Sequence, residues 1–137
     1  NTYSPVPVPK LLFDVNFQID YKAFKEALED VTSKSDYVTF TTTPMSVVIS
    51  GKSDNGSVKI PFKKTDTAIY GLETKEPSKE VQATYSIQYL NSIVKAIEVE
   101  KVYISYSSKM PLMIEFKIGS EFDAETGYIR FFLAPRV

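Results

Sequence analysis

The order strand, helix, three strands is written twice along this chain, and that repetition limits the fold more than any other feature of its 137 residues. The first copy opens on Leu11–Phe17, where Leu11, Phe13, Val15 and Phe17 alternate as a half-buried strand does. Asp20 follows as a helix N-cap. The helix after it sets Phe24, Ala27, Leu28 and Val31 on one face and Lys22, Glu26, Glu29 and Ser33 on the other. Short strands are expected at Tyr37–Thr42, Ser46–Ser50 and Ser57–Phe62, the last two joined by a turn at Ser53-Asp54-Asn55-Gly56. After strands at Thr67–Glu73 and Glu80–Thr84, a second helix over about Ser86–Ile97 buries Ile87, Leu90, Ile93, Val94 and Ile97. Its polar face carries Gln88, Asn91, Ser92 and Lys95 and no acidic residue. Strands close the second copy at Lys101–Ser107, Leu112–Ile118 and Tyr128–Leu133. Phe24 matches Leu90 and Val31 matches Ile97 at an offset of 66, and Tyr37-Val38 matches Lys101-Val102 at 64. Val58–Phe62 matches Tyr128–Phe132 at 70. This duplication predicts an α+β fold: a β-α-β-β-β unit used twice, with antiparallel sheets related by a pseudo-twofold and both helices on one side.

The residue types that are missing narrow the chemistry. The chain has no Cys and no His. Thiol nucleophiles, His-based triads and His/Cys metal sites are therefore excluded. The five glycines are scattered, so no phosphate-cradling loop is present. Glu26 with Glu29 or Asp30 reads as a solvated helix face. Glu121-Phe-Asp-Ala-Glu125, in an expected hairpin loop, lacks the spacing and turn Gly of a calcium loop. No catalytic residue, metal site or cofactor is expected. Sixteen Lys and Arg stand against 17 Asp and Glu, a net charge of −1. A domain that grips duplex DNA alone carries a basic excess, so tight DNA binding by this chain alone is not expected. No apolar run approaches the roughly 20 residues that span a bilayer, and no signal-peptide pattern opens the chain. The first residue is Asn1 rather than Met, which suggests a piece or processed product of something longer.

The two ends carry the remaining signal. Pro5, Pro7 and Pro9 forbid a helix or a central strand and predict an extended arm that offers Val6 and Val8 to a partner. At the other end, Tyr128–Leu133 runs into Ala134-Pro135-Arg136-Val137 and leaves apolar surface that no later element covers.

Three stretches resemble the C-terminal domain of proliferating cell nuclear antigen, the archaeal and eukaryotic sliding clamp: Thr84–Ala96, Met110–Ile118 and Gly127–Val137, with its Leu-Ala-Pro-basic-aliphatic ending. The resemblance, of archaeal type, implies the DNA-clamp fold, with residues 1–10 as an interdomain connecting loop and 11–137 as the C-terminal domain. It implies half a subunit of a three-subunit ring that encircles duplex DNA without sequence preference. Such a ring does no chemistry; it tethers DNA polymerase, flap endonuclease and DNA ligase through peptide motifs, and a clamp loader opens it. By this resemblance Val6, Val8 and Pro9 form one wall of the partner-peptide pocket. Pro111, Phe132, Ala134 and Pro135 form the other, and Arg136 pairs with the peptide main chain. Lys22, Lys25, Gln88, Asn91 and Lys95 face DNA, although Glu26 and Glu29 stand where the family often carries basic residues. Val31, Gly56, Val58 and Ile60 belong to the subunit interface. The implied location is the cytoplasm and nucleoid of an archaeon, or a eukaryotic nucleus, with no membrane partner. A checkpoint-type clamp loaded at DNA damage fits the same residues. A small hydrolase or metal enzyme is the reading from another class, and Asp123 and Glu125 would be its acids.

Overall fold

The computed structural model describes residues 13–118 and 127–136, together with the backbone of 2–4. The elements are β1 (Thr2–Ser4), β2 (Val15–Asp20), α1 (Tyr21–Thr32), β3 (Tyr37–Thr43), β4 (Ser46–Ser53), β5 (Gly56–Lys63) and β6 (Ile69–Thr74). They continue as β7 (Val81–Ser86), α2 (Ile87–Ala96), β8 (Lys101–Tyr106), β9 (Leu112–Ile118) and β10 (Gly127–Leu133). Every helix and strand expected from the two copies is present. The first strand begins later than expected. Phe13 and Asp14 precede it, the Asp14 N–H goes to Ser107 Oγ at 2.9 Å rather than into a ladder, and the alternation continues instead through Ile19. Leu11 lies outside the described residues.

Two antiparallel sheets form, one of order β1-β10-β9-β8-β2-β6 and one of order β5-β4-β3-β7. Each therefore joins three strands of one copy to the opening strand of the other. The two exchanges are equivalent: Asp20 faces Lys101 and Val15 faces Tyr106, just as Ser86 faces Tyr37 and Val81 faces Thr42. The helix starts repeat the pattern. The Tyr21 N–H donates to the Glu100 carbonyl at 2.8 Å and the Ile87 N–H to the Asp36 carbonyl at 3.0 Å. These are the offsets of 66 and 64 read from the sequence. Asp20 caps α1 by accepting from the Ala23 N–H at 3.2 Å. Ser86, its counterpart, makes no side-chain cap to α2.

The two helices pack side by side, and the Tyr21 hydroxyl at the start of α1 donates to the Val94 carbonyl near the end of α2 at 2.7 Å. Beneath them the ring of Phe40 lies about 6 Å from those of Phe24, Tyr85 and Tyr106. Thr42 and Tyr106, equivalent residues of the two copies, share a buried hydrogen bond through their hydroxyls. The pseudo-twofold thus runs through a polar contact inside an aromatic core.

One register differs from expectation. Val58, Ile60 and Phe62 of β5 point into the core, and in β10 it is Phe131 and Leu133 that pack there. The copies therefore superpose at 71 in this strand rather than 70, and a slip of one residue moves a side chain to the opposite face. Phe132, set against Phe62 by the sequence match, faces outward and is 53% exposed.

Gly51 of β4 is fixed by packing. A Cβ there would lie 2.6 Å from Val31 Cγ1, 3.0 Å from Ser35 Cβ and 3.2 Å from the Tyr37 carbonyl. Gly51→Ala is expected to lower stability by about 1–3 kcal/mol through overpacking, read by urea unfolding. An unchanged midpoint would show that the end of α1 yields instead.

Candidate functional site

The outward face of the β9–β10 hairpin gathers the apolar residues expected at the end of the chain. Phe132 faces Met113 on this side, while the next pair, Leu133 and Leu112, turns into the core. The ladder ends at that pair, and Pro111 and Ala134, both exposed, are the residues that adjoin its end on either strand. Met110, also exposed, completes the patch. Its carbonyl accepts from the Tyr85 hydroxyl at 2.8 Å, which ties the loop between β8 and β9 down to β7. The structure thus brings together Pro111, Phe132 and Ala134, and Pro135 follows half-buried. Val6, Val8 and Pro9, the expected opposite wall, lie outside the described residues. Met113, the buried partner of Phe132, was missed by sequence reasoning; the hairpin pairing of Leu-Met-Ile with Phe-Phe-Leu is the signal that would have found it.

Beside the patch, on the same face of the hairpin, lies a buried ion pair. Arg130 and Glu115 face each other across β10 and β9. The Nε and Nη2 groups of Arg130 both donate to Glu115 Oε2, at 2.9 and 2.6 Å. The residues are 7% and 3% exposed, on the face turned away from the main core. Two donors on one carboxylate oxygen make a strong charge-assisted contact, and it fixes β10 against β9 two residues before Phe132. Further along the same face, Ser105 Oγ donates to Asn16 Oδ1 at 2.7 Å. The rings of Tyr103 and Tyr128 meet edge to face at 6.4 Å. Burial, with Tyr128 and Glu115 nearby, pushes the Tyr103 phenol above its usual pKa.

The tail departs from expectation. The Arg136 N–H is already used, donating to the Thr84 carbonyl of β7 at 2.8 Å. Its guanidinium lies 4.0 Å above the centre of the Tyr37 ring. Arg136 therefore faces β3 and β7 rather than standing clear for a peptide main chain. The tail crosses from the six-stranded sheet to the four-stranded one.

The helix faces hold the second group of expected residues. Lys22, Gln88 and Lys95 are exposed; Lys25 and Asn91 are half-buried. They fall into two separate clefts. Lys22 and Lys25 line one with Asp20, Glu98, Glu100 and Lys101. Gln88, Asn91 and Lys95 line the other with Thr32, Ser35 and Asp36. The clefts are mates under the pseudo-twofold. In the second, Asn91 Nδ2 donates to Thr32 Oγ1, which holds the helices together. Three carboxylates offset three amines in the first cleft, and Glu26 and Glu29 are exposed beside it. This mixed charge gives phosphate contacts little electrostatic pull.

β5 is an edge strand, with no strand neighbour on its outer side among the described residues. Gly56, at φ 135°, closes the Asp54-Asn55 turn, a conformation that favours Gly. Pro61, in β5, is tolerated at an edge. Val58 and Ile60 are half-buried against the core, so the backbone edge is what β5 chiefly offers a neighbour. Val31 corrects the expectation made for it: it is 0% exposed and lies behind β4 against Gly51. It supports the edge from within and has no surface to contribute to an interface.

Nothing in the described residues resembles a reaction centre. No cluster of three Asp, Glu, His or Cys is placed to hold a metal among them, and Glu121–Glu125 lies outside them. A Ser-x-x-Lys spacing does occur at Ser92-Ile-Val-Lys95, but Ser92 Oγ donates to the Gln88 carbonyl at 3.0 Å and both side chains are exposed on α2. Among the described residues, no helix is long and apolar enough to cross a membrane.

A duplicated α+β unit with paired helices and an apolar hairpin face at its chain end defines a clamp-type domain. The family model described as proliferating cell nuclear antigen, C-terminal domain, matches residues 7–136, and the chain belongs to that family. It is 38% identical over 133 residues to a DNA polymerase sliding clamp of Cenarchaeum symbiosum (strain A), covering 96% of this chain and 50% of that protein. It is 40% identical over 133 residues to a DNA polymerase sliding clamp of Nitrosopumilus maritimus (strain SCM1), with the same coverage. Proliferating cell nuclear antigen of Caenorhabditis elegans is 33% identical over 120 residues, 83% of this chain and 43% of that one. The crystal structure of PCNA from Thermococcus kodakaraensis superposes with a TM-score of 0.80 at 23% identity, over 96% of this chain and 51% of that one, and shares the fold. The chain spans about half the length of the curated relatives it matches.

Proposed function

We propose that this chain is half of a sliding-clamp subunit, a binding module without catalysis. In a closed ring of three subunits it surrounds duplex DNA and docks DNA polymerase, flap endonuclease and DNA ligase through their peptide motifs. A clamp loader opens the ring. The observation that carries this reading is the outward patch of Pro111, Phe132 and Ala134, an apolar surface adjoined by the buried Arg130–Glu115 pair. Peptide recognition needs such a surface together with backbone groups that set direction. The helix faces suit DNA that slides. Lys22, Lys25, Gln88, Asn91 and Lys95 offer loose phosphate contacts without base readout, and the nearby carboxylates keep those contacts weak. The backbone edge of β5 pairs with the next subunit in the ring. The working location is wherever the replicated DNA lies.

Titration with a peptide bearing a Gln and a pair of aromatic residues, followed by amide shifts, tests the docking role. Perturbation is expected at Val8, Met113 and Ala134, and none at Gln88 or Lys95. A peptide that leaves Ala134 unmoved would sink the reading.

A further inference from the structure

The two copies close their opening strands with the same device in opposite polarity. Against β2, β6 runs with Tyr70 opposite Gln18, and the Lys101 amine stands 4.2 Å above the Tyr70 ring. Against β7, the tail places Arg136 at Thr84, and the Arg136 guanidinium stands 4.0 Å above the Tyr37 ring. Gln18 and Thr84 are equivalent at an offset of 66, Tyr70 and Arg136 at 66, and Tyr37 and Lys101 at 64. The cation and the aromatic ring have exchanged positions, yet the clasp is kept. The tail thus meets β7 where β6 meets β2 in the other copy, through one backbone hydrogen bond. A clasp that recurs at equivalent places while its residues swap is a feature of the architecture and not of one accidental contact.

We propose that Tyr37 is a positioning residue for partner docking: its ring holds Arg136 and so sets the direction of Ala134 and Pro135 at the rim of the apolar patch. The proposal rests on the docking role assigned to that patch. Tyr37 itself touches no peptide. Its contribution is to order the tail beforehand, so that a partner does not bear that entropy loss on binding. A cation above an aromatic ring is strong enough for this at a partly exposed position.

The test compares the wild-type chain with Tyr37→Leu, Tyr37→Phe and Tyr70→Ala. In the wild type and Tyr37→Phe, the Arg136 side-chain δ protons should show an upfield ring-current shift that Tyr37→Leu removes. The peptide carrying a Gln and two aromatic residues should bind Tyr37→Leu roughly fivefold more weakly. It should bind Tyr37→Phe and Tyr70→Ala as it binds wild type. Thermal unfolding separates the positioning effect from a general loss of fold: recovery of affinity in Tyr37→Phe with matched melting points supports the clasp. Equal peptide affinity for Tyr37→Leu and wild type would overturn it, and so would an unshifted Arg136 in the wild type. If the wild type binds no peptide at all, the docking role itself fails, a result distinguishable from either of these.

Discussion

Replacing Glu115 by Ala is expected to cost about 3–5 kcal/mol, enough to unfold much of the population of a marginally stable domain. The reason is the asymmetry of buried ion pairs. Arg130 and Glu115 together are nearly neutral in worth, because desolvation offsets most of their attraction. Taking away the carboxylate leaves the guanidinium desolvated without its two contacts to Oε2. The paired replacement Glu115→Met with Arg130→Leu should recover most of the loss, since it removes both charges and keeps the volume. Chemical denaturation of the single and paired variants measures this. A single variant within about 0.5 kcal/mol of wild type would mean that water reaches the pair. The effect on function follows from position. Arg130 lies two residues before Phe132 on the same face of β10, so loosening the pair frays the base of the docking patch before it disturbs the helices.

The second large effect is alkaline. Burial raises the phenols of Tyr85 and Tyr106 well above their ordinary value of 10.0. Both hydroxyls donate in the folded state, Tyr85 to the Met110 carbonyl at 2.8 Å and Tyr106 to the Val81 carbonyl at 3.0 Å. The unfolded chain loses these protons near pH 10 and the folded chain keeps them, so the folded state binds more protons above that pH. Stability should be constant below about pH 9 and fall above pH 10, by up to about 1.4 kcal/mol per pH unit for each phenol. Tyr106→Phe should reduce the slope by about a third to a half, because the raised Tyr103 phenol also contributes. Denaturation at a series of pH values reads it out, and a midpoint that holds steady to pH 11 would contradict it. Because folded Tyr85 keeps its proton over this range, its hold on Met110 beside Pro111 should persist until the domain itself unfolds.

Much of the fold was legible in the sequence. Helical spacing of Phe24, Ala27, Leu28 and Val31, and of Ile87, Leu90 and Val94, leaves little choice of face, and all seven are buried. The offsets of 66 and 64 reappear in hydrogen bonds from Tyr21 and Ile87. The last strand was harder. Phe131 and Phe132 are chemically alike, so composition does not say which turns inward; the hairpin register decides, and it puts Phe131 inside. Arg130 and Glu115 look like ordinary solvent-facing charges when each strand is read alone. Only the antiparallel pairing of β9 with β10 sets opposite charges face to face. Arg136 has no local signal for its direction, because its ring partner lies 99 residues earlier in the chain. Val31 was expected at a surface by family resemblance, although its own helical periodicity already marked it as core.

The exchange of opening strands has a consequence for assembly. Val15 must find Tyr106 and Val81 must find Thr42 before either sheet has its full set of strands. Neither copy can therefore mature on its own, despite reading as a self-contained repeat. The first pairing closes a loop of some ninety residues, a non-local contact of the kind that slows folding to milliseconds or longer. A cut in the exposed stretch between β6 and β7 would not release two independent halves. It would yield two fragments, each holding a strand the other needs, that regain structure only by recombining with each other.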